Sequence, residues 1–216
     1  MNSLKSEYKT VLHTGGGSYV EKKSEFIGAA KPVKTEQEAL EFLNSIRKKY
    51  SDARHNVYAY VLNQDNIQRY SDDGEPSGTG GMPVLGVITK SGLTDIAIVV
   101  TRYFGGTLLG TGGLVRAYSK AAADAVLAAQ PVICRLCKCY EITCDYTLSG
   151  KIAHILENPD YTLENTEYTD CVRFFACVKQ GCDGKFLKEI TEATGARANI
   201  TETESKYINI PIKEEK

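Results

Sequence analysis

The sequence has no long apolar run and no export signal, and both absences narrow the possible functions. No segment approaches the roughly 20 consecutive apolar residues that span a bilayer, so no membrane contact is expected. Residues 1–10 carry no apolar core after their lysines, as a secretory signal would require. A cytoplasmic protein is therefore predicted.

An excess of charge of one sign is also missing. The net charge of the 216 residues is −1, with 15 basic and 13 acidic residues before Pro131 and 11 basic and 14 acidic residues from there on. A protein that holds nucleic acid by bulk electrostatics needs a strongly basic body. Any contact with nucleic acid is therefore expected to be local and to lie in the first part of the chain.

Among the seven cysteines, Cys134 and Cys137 form a C-x-x-C, but the matched second C-x-x-C of a typical zinc site is missing. The odd count, in a chain without an export signal, favours reduced thiols. Alternation along a strand puts Cys137 and Cys139 on one face and Cys144 on the other, which is poor geometry for one tetrahedral ion. Free, buried thiols are predicted, with no metal and no cofactor. The alternative is a zinc site to which Cys171 and Cys177 contribute from an adjacent strand.

Length and the order of periodic segments predict two domains, 1–131 and 132–216. In the first, Thr35 and Glu38 form a capping box before a helical repeat. Ile96–Val100 reads as a strand covered on both faces, and Leu114–Ala129 as an alanine-rich helix. The second reads strand, helix, two strands, helix, strand, which is the ferredoxin-like order, and ends in a charged, solvated segment at 202–216.

Two glycine-rich loops, 71–81 and 103–113, each run into a predicted helix. In the second loop the glycines lie at the start of the alanine-rich helix, where free N–H groups and the helix dipole favour an anion. Arg102 and Arg116 would add charge beside those amides, and a phosphate is the expected guest. The alternative is that the glycines only permit a tight crossover. The expected anion or nucleic-acid site comprises Arg54, His55, Arg102, Tyr103, Gly105, Gly106, Gly110, Thr111, Gly112, Gly113 and Arg116.

The first loop carries Asp72, Asp73 and Glu75 beside His55, which is predicted to begin a neighbouring strand. Such a set could bind Mg²⁺ or Zn²⁺ or transfer protons. No H-E-x-x-H spacing accompanies it. The alternative is structural: Asp72 and Glu75 cap turns or pair with Arg54, Arg102 or Arg116.

Three long segments in order resemble the signature of the IMPACT family, in its two-domain bacterial form. They are Asp52–Asn56, Ser71–Gly81 and Thr101–Tyr118. The resemblance implies an α+β protein. Its N-terminal domain would have the left-handed βαβ superfold of a ribosomal protein domain, elongation factor G domain IV and the GHMP kinases. Its C-terminal domain would be ferredoxin-like, βαββαβ, similar to the last domain of elongation factor G.

Three functions remain open at this stage. The first is a non-enzymatic, translation-associated protein that binds RNA or the ribosome through the cationic glycine-rich loop. The second is an enzyme acting on a phosphorylated small molecule or nucleotide, with Mg²⁺ or a proton handled by the acidic loop. The third is a module for a protein partner.

Overall fold

The structure, a computed structural model, describes residues 6–212. Parts of the expected N-terminal segment and of the charged C-terminal end fall on residues 1–5 and 213–216, outside the described residues. The chain divides into two compact units, 8–133 with 210–212 and 134–209 with residues 6 and 7. Each unit is described by itself below. No helix within 6–212 has the length and apolar composition that crossing a bilayer requires.

The first unit is a twisted antiparallel sheet with helices on both faces. Its sheet has the order β2-β3-β6-β4-β5. One face packs on α1 and the other on α2 and α3, so the central strand β6 is buried on both sides, as predicted. The elements are β1 Glu7–Val11, β2 Gly15–Glu21, β3 Ser24–Pro32, α1 Glu36–Lys49, β4 His55–Leu62, β5 Ile67–Ser71, α2 Gly81–Lys90, β6 Ile96–Tyr103 and α3 Gly110–Ala128.

The second unit has the predicted ferredoxin-like order. In its sheet β8, β9, β7 and β10 lie side by side in that sequence, and α4 and α5 pack on one face. The α+β assignment is therefore confirmed for the chain. The elements are β7 Pro131–Cys144, α4 Tyr146–Ile155, β8 Tyr161–Tyr168, β9 Val172–Lys179, α5 Asp183–Thr194 and β10 Asn199–Pro211.

The ends of α1 and α5 follow the predicted capping rules. The Thr35 side chain accepts from the N–H of Glu38, and the Glu38 carboxylate accepts from the N–H of Lys34, one residue further back than in the usual box. Helix α5 ends at Gly195, whose φ of 59° is left-handed. Glycine suits that conformation because it has no Cβ to clash with the backbone.

The alanine-rich helix α3 lies close to the sheet. A Cβ at Gly28 in β3 would overlap the carbonyl group of Ala121, so the close approach depends on that glycine. Ala117, Ala121 and Ala125 are buried as their spacing indicates. Ala128, which the sequence also predicts on this stripe of alanines, is instead exposed in the last turn of the helix.

The expectation that all seven cysteines are free is wrong. Cys139 and Cys177 lie directly opposite each other on the antiparallel strands β7 and β9 and are joined by a disulfide. Spacing along the sequence does not reveal this register, which is why the pair was missed. Cys137 lies with them on one face and Cys144 faces the other, as alternation predicted. Cys137 and Cys144 are buried free thiols, whereas the free thiols Cys171 and Cys182 are only partly buried, so the expected burial does not hold for these two.

Candidate functional site

Two of the motif-bearing segments meet because β4 and β6 are neighbours in the sheet. His55, the first residue of β4, lies opposite Arg102 of β6 in the antiparallel register. The acidic loop 72–80 follows β5 on the other side of β4, and the glycine-rich loop 104–109 follows β6 directly. The sheet therefore collects both loops at one end of the first unit.

Asp72 caps helix α2. Its carboxylate accepts hydrogen bonds from the N–H groups of Gly78, Gly80 and Gly81, at 2.9, 3.0 and 2.8 Å. Burial alone would raise the pKa of Asp72, but these backbone N–H groups outweigh it and hold the pKa below its ordinary value. Asp72 is therefore an anionic cap, which is the structural alternative that the sequence left open.

Asp73 fixes the start of β4. Its carboxylate is 2.8 Å from a guanidinium nitrogen of Arg47 and accepts the N–H of Asn56 at 2.6 Å. The Nδ1 atom of His55 lies 2.9 Å from the carbonyl oxygen of Asp73. A carbonyl only accepts, so Nδ1 carries the proton, and Nε2 is the ring nitrogen left for other groups.

Glu75 anchors the acidic loop to the core. Its Oε1 atom accepts from Nη1 of Arg102 and from the hydroxyl group of Tyr118, each at 2.7 Å. The side chains of Arg102 and Glu75 are only 8% and 3% exposed. Burial, with the carboxylate of Glu75 beside it, raises the pKa of the Tyr118 hydroxyl, so the hydroxyl stays protonated and donates. Of the arginines that the sequence left open as partners of Glu75, Arg102 is the one used.

This pairing corrects the expected position of Arg102. The side chain was expected to add charge beside the amides of Gly110–Gly113. Its guanidinium group instead binds Glu75 and lies over the rings of Phe26 and Phe104, 5.5 and 5.6 Å from their centres. Its Nε atom is buried and has no hydrogen-bond partner within residues 6–212. Arg102 is therefore a buried structural ion whose Nε donor is unused within the described residues.

Arg116, in contrast, lies at the start of α3. Its guanidinium group would be 3.7 Å from a Cβ placed on Gly112. The N-cap residue Leu109 makes no side-chain hydrogen bond to the helix, and Gly110, Thr111 and Gly112 are exposed. The first turn thus combines uncapped N–H groups with one nearby cation, the combination that favours an anion.

The other glycines of this loop have structural reasons to be there. A Cβ on Gly105 would overlap the backbone of Lys23, and the Gly105 N–H donates to the side chain of Ser24. Gly106 and Gly110 have φ values of 83° and 69°. Both conformations are strained for residues with a Cβ. The glycines therefore do permit a tight crossover from β6 to α3, which was the alternative to an anion site. The exposed first turn of α3 is present as well.

A pocket of about 380 Å³ lies beside this crossover, at the end of β4 and β6. Asp52, Arg54, His55 and Arg102 form its polar wall, and Tyr103, Phe104 and Leu108 form the rest. The Tyr103 hydroxyl donates to Oδ1 of Asp52 at 2.7 Å, and this hydrogen bond raises the pKa of Tyr103 to about 12. The pocket therefore mixes cations, one carboxylate and exposed apolar surface.

Sequence reasoning missed Asp52, Leu108 and Tyr118 as contributors to this region. Asp52 is the first residue of the segment Asp52–Asn56, and Tyr118 is the last of Thr101–Tyr118. Their place in these family-like segments was the one sequence signal for them. Leu108 is 83% exposed. A large apolar side chain flanked by glycines on a loop could have been noted as binding surface.

Within residues 6–212, one group of three potential metal ligands has its ligand atoms within 4.8 Å of one another. It comprises Cys139, Glu164 and Cys177, and two of its sulfur atoms form the disulfide. The carboxylates of the acidic loop do not form such a group, because each is engaged as described above.

Comparison with known proteins gives matches along most of the chain. Residues 22–126 match the Impact N-terminal domain, and residues 142–197 match a domain of unknown function, DUF1949. A solved structure described as a crystal structure of an hypothetical protein is 28% identical, with a TM-score of 0.59 over 98% of this chain and 100% of that one.

Named relatives agree with these matches. IMPACT family member YvyE of Bacillus subtilis is 41% identical over 202 residues, which is 93% of each chain. IMPACT family member YigZ of Escherichia coli is 37% identical over 68% of this chain and 74% of its own. The Protein IMPACT homolog of Dictyostelium discoideum is 40% identical over 44% of this chain and 28% of its own. The chain belongs to the IMPACT family.

Proposed function

We propose that the protein is a translation-associated regulator that binds RNA or the ribosome through the surface around the start of α3. Membership of the IMPACT family supports a translation-regulatory role in general terms. The specific contact with RNA is an inference from the site. It rests above all on one observation: an uncapped, exposed helix start with the Arg116 guanidinium group beside Gly112.

The chemistry of this surface suits a phosphate backbone. Free N–H groups at a helix start point toward an anion, and a guanidinium group adds forked hydrogen bonds to phosphate oxygens. Arg54 is exposed in the same unit and makes no hydrogen bond or ion pair within the described part of the chain. Two cations and a set of amides form a small binding surface. A local surface of this kind is what a chain with a net charge close to zero can offer to nucleic acid.

Arg102 has a different role in this proposal from the one that the sequence indicated. Because it is buried against Glu75, it stabilises the crossover that presents the helix start. The phosphate contacts are assigned to Arg54, Arg116 and the amides of Gly110, Thr111 and Gly112.

Filter binding to ribosomes and to structured RNA at low salt tests the proposal. Arg54→Ala and Arg116→Ala are each expected to weaken binding. Each is also expected to reduce the slope of log affinity against log salt concentration by about 1, because one phosphate contact is lost. Arg69→Ala is the matched control, since Arg69 is an exposed arginine of the same unit on the edge strand β5. If all three variants bind equally well, or if the unaltered protein does not bind at low salt, the proposal is wrong.

The enzymatic alternative gains no support from the geometry. Asp72, Asp73 and Glu75 are held by backbone amides, Arg47, Arg102 and Tyr118, so metal binding or proton transfer would have to displace these partners. Recovery of a nuclease-insensitive protein partner in place of RNA would favour the third function, a module for protein contacts.

A further inference from the structure

The pocket at the end of β4 and β6 contains polar groups that the fold leaves unused. We propose that it binds one unpaired guanine base of an RNA strand. This inference deepens the proposed function and rests on it, since it names the part of the RNA that the pocket would recognise.

The donors come from two arginines. The Nε atom of Arg102 lies in a side chain that is 8% exposed and has no hydrogen-bond partner within residues 6–212. That atom has almost no accessible surface, so an acceptor reaches it only when the side chain moves, and binding then removes the cost of a buried donor without a partner. Arg54, on the pocket wall, makes no hydrogen bond or ion pair with any described residue, so its several donors can reach the base as well as the neighbouring phosphate. Guanine presents two acceptors, O6 and N7, on one edge, and arginine is the side chain that most often reads them.

The acceptor is Asp52. Its Oδ1 atom takes the hydroxyl hydrogen of Tyr103, and no hydrogen bond to its other oxygen occurs within the described residues. A carboxylate on the wall repels a phosphate placed inside the pocket. It instead accepts from the N1–H and N2–H₂ donors on the Watson–Crick edge of guanine. Adenine has a ring acceptor at N1 and lacks the N2 amino group, so it fits this wall poorly.

The apolar wall provides stacking. The Arg102 guanidinium group lies 5.6 Å from the centre of the Phe104 ring, while the ring as a whole is 55% exposed. Phe104 thus contacts the Arg102 guanidinium group with part of its ring, and its exposed surface is available for stacking with a base. Leu108, 83% exposed, adds apolar surface, and the volume of about 380 Å³ is within the usual range of small-ligand pockets.

The next phosphate of the strand would meet the helix start. Leu108 lies two residues before Gly110, a span of at most about 7 Å. A strand with its base in the pocket therefore carries its backbone to the amides and the arginine already assigned to phosphate. The pocket and the helix start would act as one site with two different tasks.

Fluorescence anisotropy with labelled eight-nucleotide RNAs tests this assignment. The three RNAs are all-uridine, all-uridine with one central guanosine, and all-uridine with one central adenosine. The guanosine RNA is expected to bind about 10-fold more tightly than the others. Phe104→Ala is expected to weaken its binding by roughly 5- to 150-fold. Asp52→Asn is expected to abolish the preference for guanosine over adenosine, while Arg69→Ala changes neither.

The outcomes separate the two proposals. Equal affinity for all three RNAs, with binding still weakened by Arg116→Ala, would overturn the guanine pocket and leave RNA binding in place. Failure of every RNA to bind would overturn both. A guanosine preference that survives Asp52→Asn, in a variant with unchanged far-ultraviolet circular dichroism, would overturn the role assigned to the carboxylate.

Discussion

Replacement of Tyr118 by phenylalanine isolates one hydrogen bond of the buried cluster. The Tyr118 hydroxyl donates to Oε1 of Glu75 at 2.7 Å, and the tyrosine is fully buried. Phenylalanine keeps the ring, whose centre is 5.0 Å from that of Phe26 in an edge-to-face contact. The variant therefore loses the hydroxyl and little else.

The expected cost follows from the charge on the acceptor. A hydrogen bond to a charged group contributes about 1.5–3 kcal/mol, more than a bond between neutral groups. Glu75 retains its ion pair with Arg102, so the buried carboxylate is not left alone. A loss of this size is expected to speed amide hydrogen exchange in β6 and α3 by roughly 10- to 150-fold, for the amides that exchange through unfolding of the unit.

Hydrogen exchange measured by mass spectrometry is the suitable assay, because it reports on peptides of one unit without assuming a single transition for the whole chain. Tyr19→Phe is the matched control. Its hydroxyl also donates to a carboxylate, that of Glu21 at 2.9 Å, but in a part-buried position outside the cluster. If Tyr118→Phe changes exchange no more than Tyr19→Phe does, the cluster does not stabilise the unit as argued.

Three further changes test other parts of the structure. Asp72→Asn is expected to destabilise the first unit by about 1 kcal/mol at neutral pH in urea titrations, through loss of a charged cap. Gly28→Ala should cost about 1–3 kcal/mol by overpacking, whereas Gly150→Ala, in open space within α4, should stabilise by up to about 1 kcal/mol. Reduction of the Cys139–Cys177 disulfide should lower the stability of the second unit by about 4 kcal/mol, for a separation of 38 residues.

The Asp72 variant also has a pH signature. The pKa of Asp72 is depressed in the folded protein, so its contribution is present above the unfolded-state pKa and is lost as the pH falls through the folded-state value. The difference between wild type and Asp72→Asn should therefore shrink in acid. If the stability difference between wild type and Asp72→Asn grows on acidification, the role of Asp72 as a charged cap is wrong. If reduction of the disulfide leaves the stability of the second unit unchanged, the stabilisation assigned to the disulfide is wrong.

Local signals predicted the elements that depend on local chemistry. Helix α1 follows from its capping box and α5 from its glycine stop, since both signals lie within a few residues. Strand β2 was not predicted, because Gly15–Gly17 reads as a loop. It is a strand because it pairs with β3 along its whole length. Its glycines let α3 pack so closely that a Cβ at Gly15 or Gly17 would meet helix backbone, a contact between segments about a hundred residues apart.

In the candidate site, too, the sequence predicted the features that depend on neighbouring residues and missed those that depend on distant contacts. The sequence indicated that Gly110–Gly113 begin a helix, and they do. It left three arginines as possible partners of Glu75, because the choice depends on how the acidic loop folds over β4. The disulfide was missed for a related reason, since the pairing of Cys139 with Cys177 follows from strand register.

The cluster of Glu75, Arg102 and Tyr118 has a consequence for how such chains can diverge. It joins a loop, a strand and a helix through side chains that are nearly inaccessible to water. Loss of Glu75 or of Arg102 leaves the other as an unpaired charge in the interior, so tolerated replacements at these two positions should occur together. An apolar residue at position 75, for example, should be accompanied by a neutral one at 102, and chains that made this exchange would be expected to reposition the crossover and whatever it presents to a ligand.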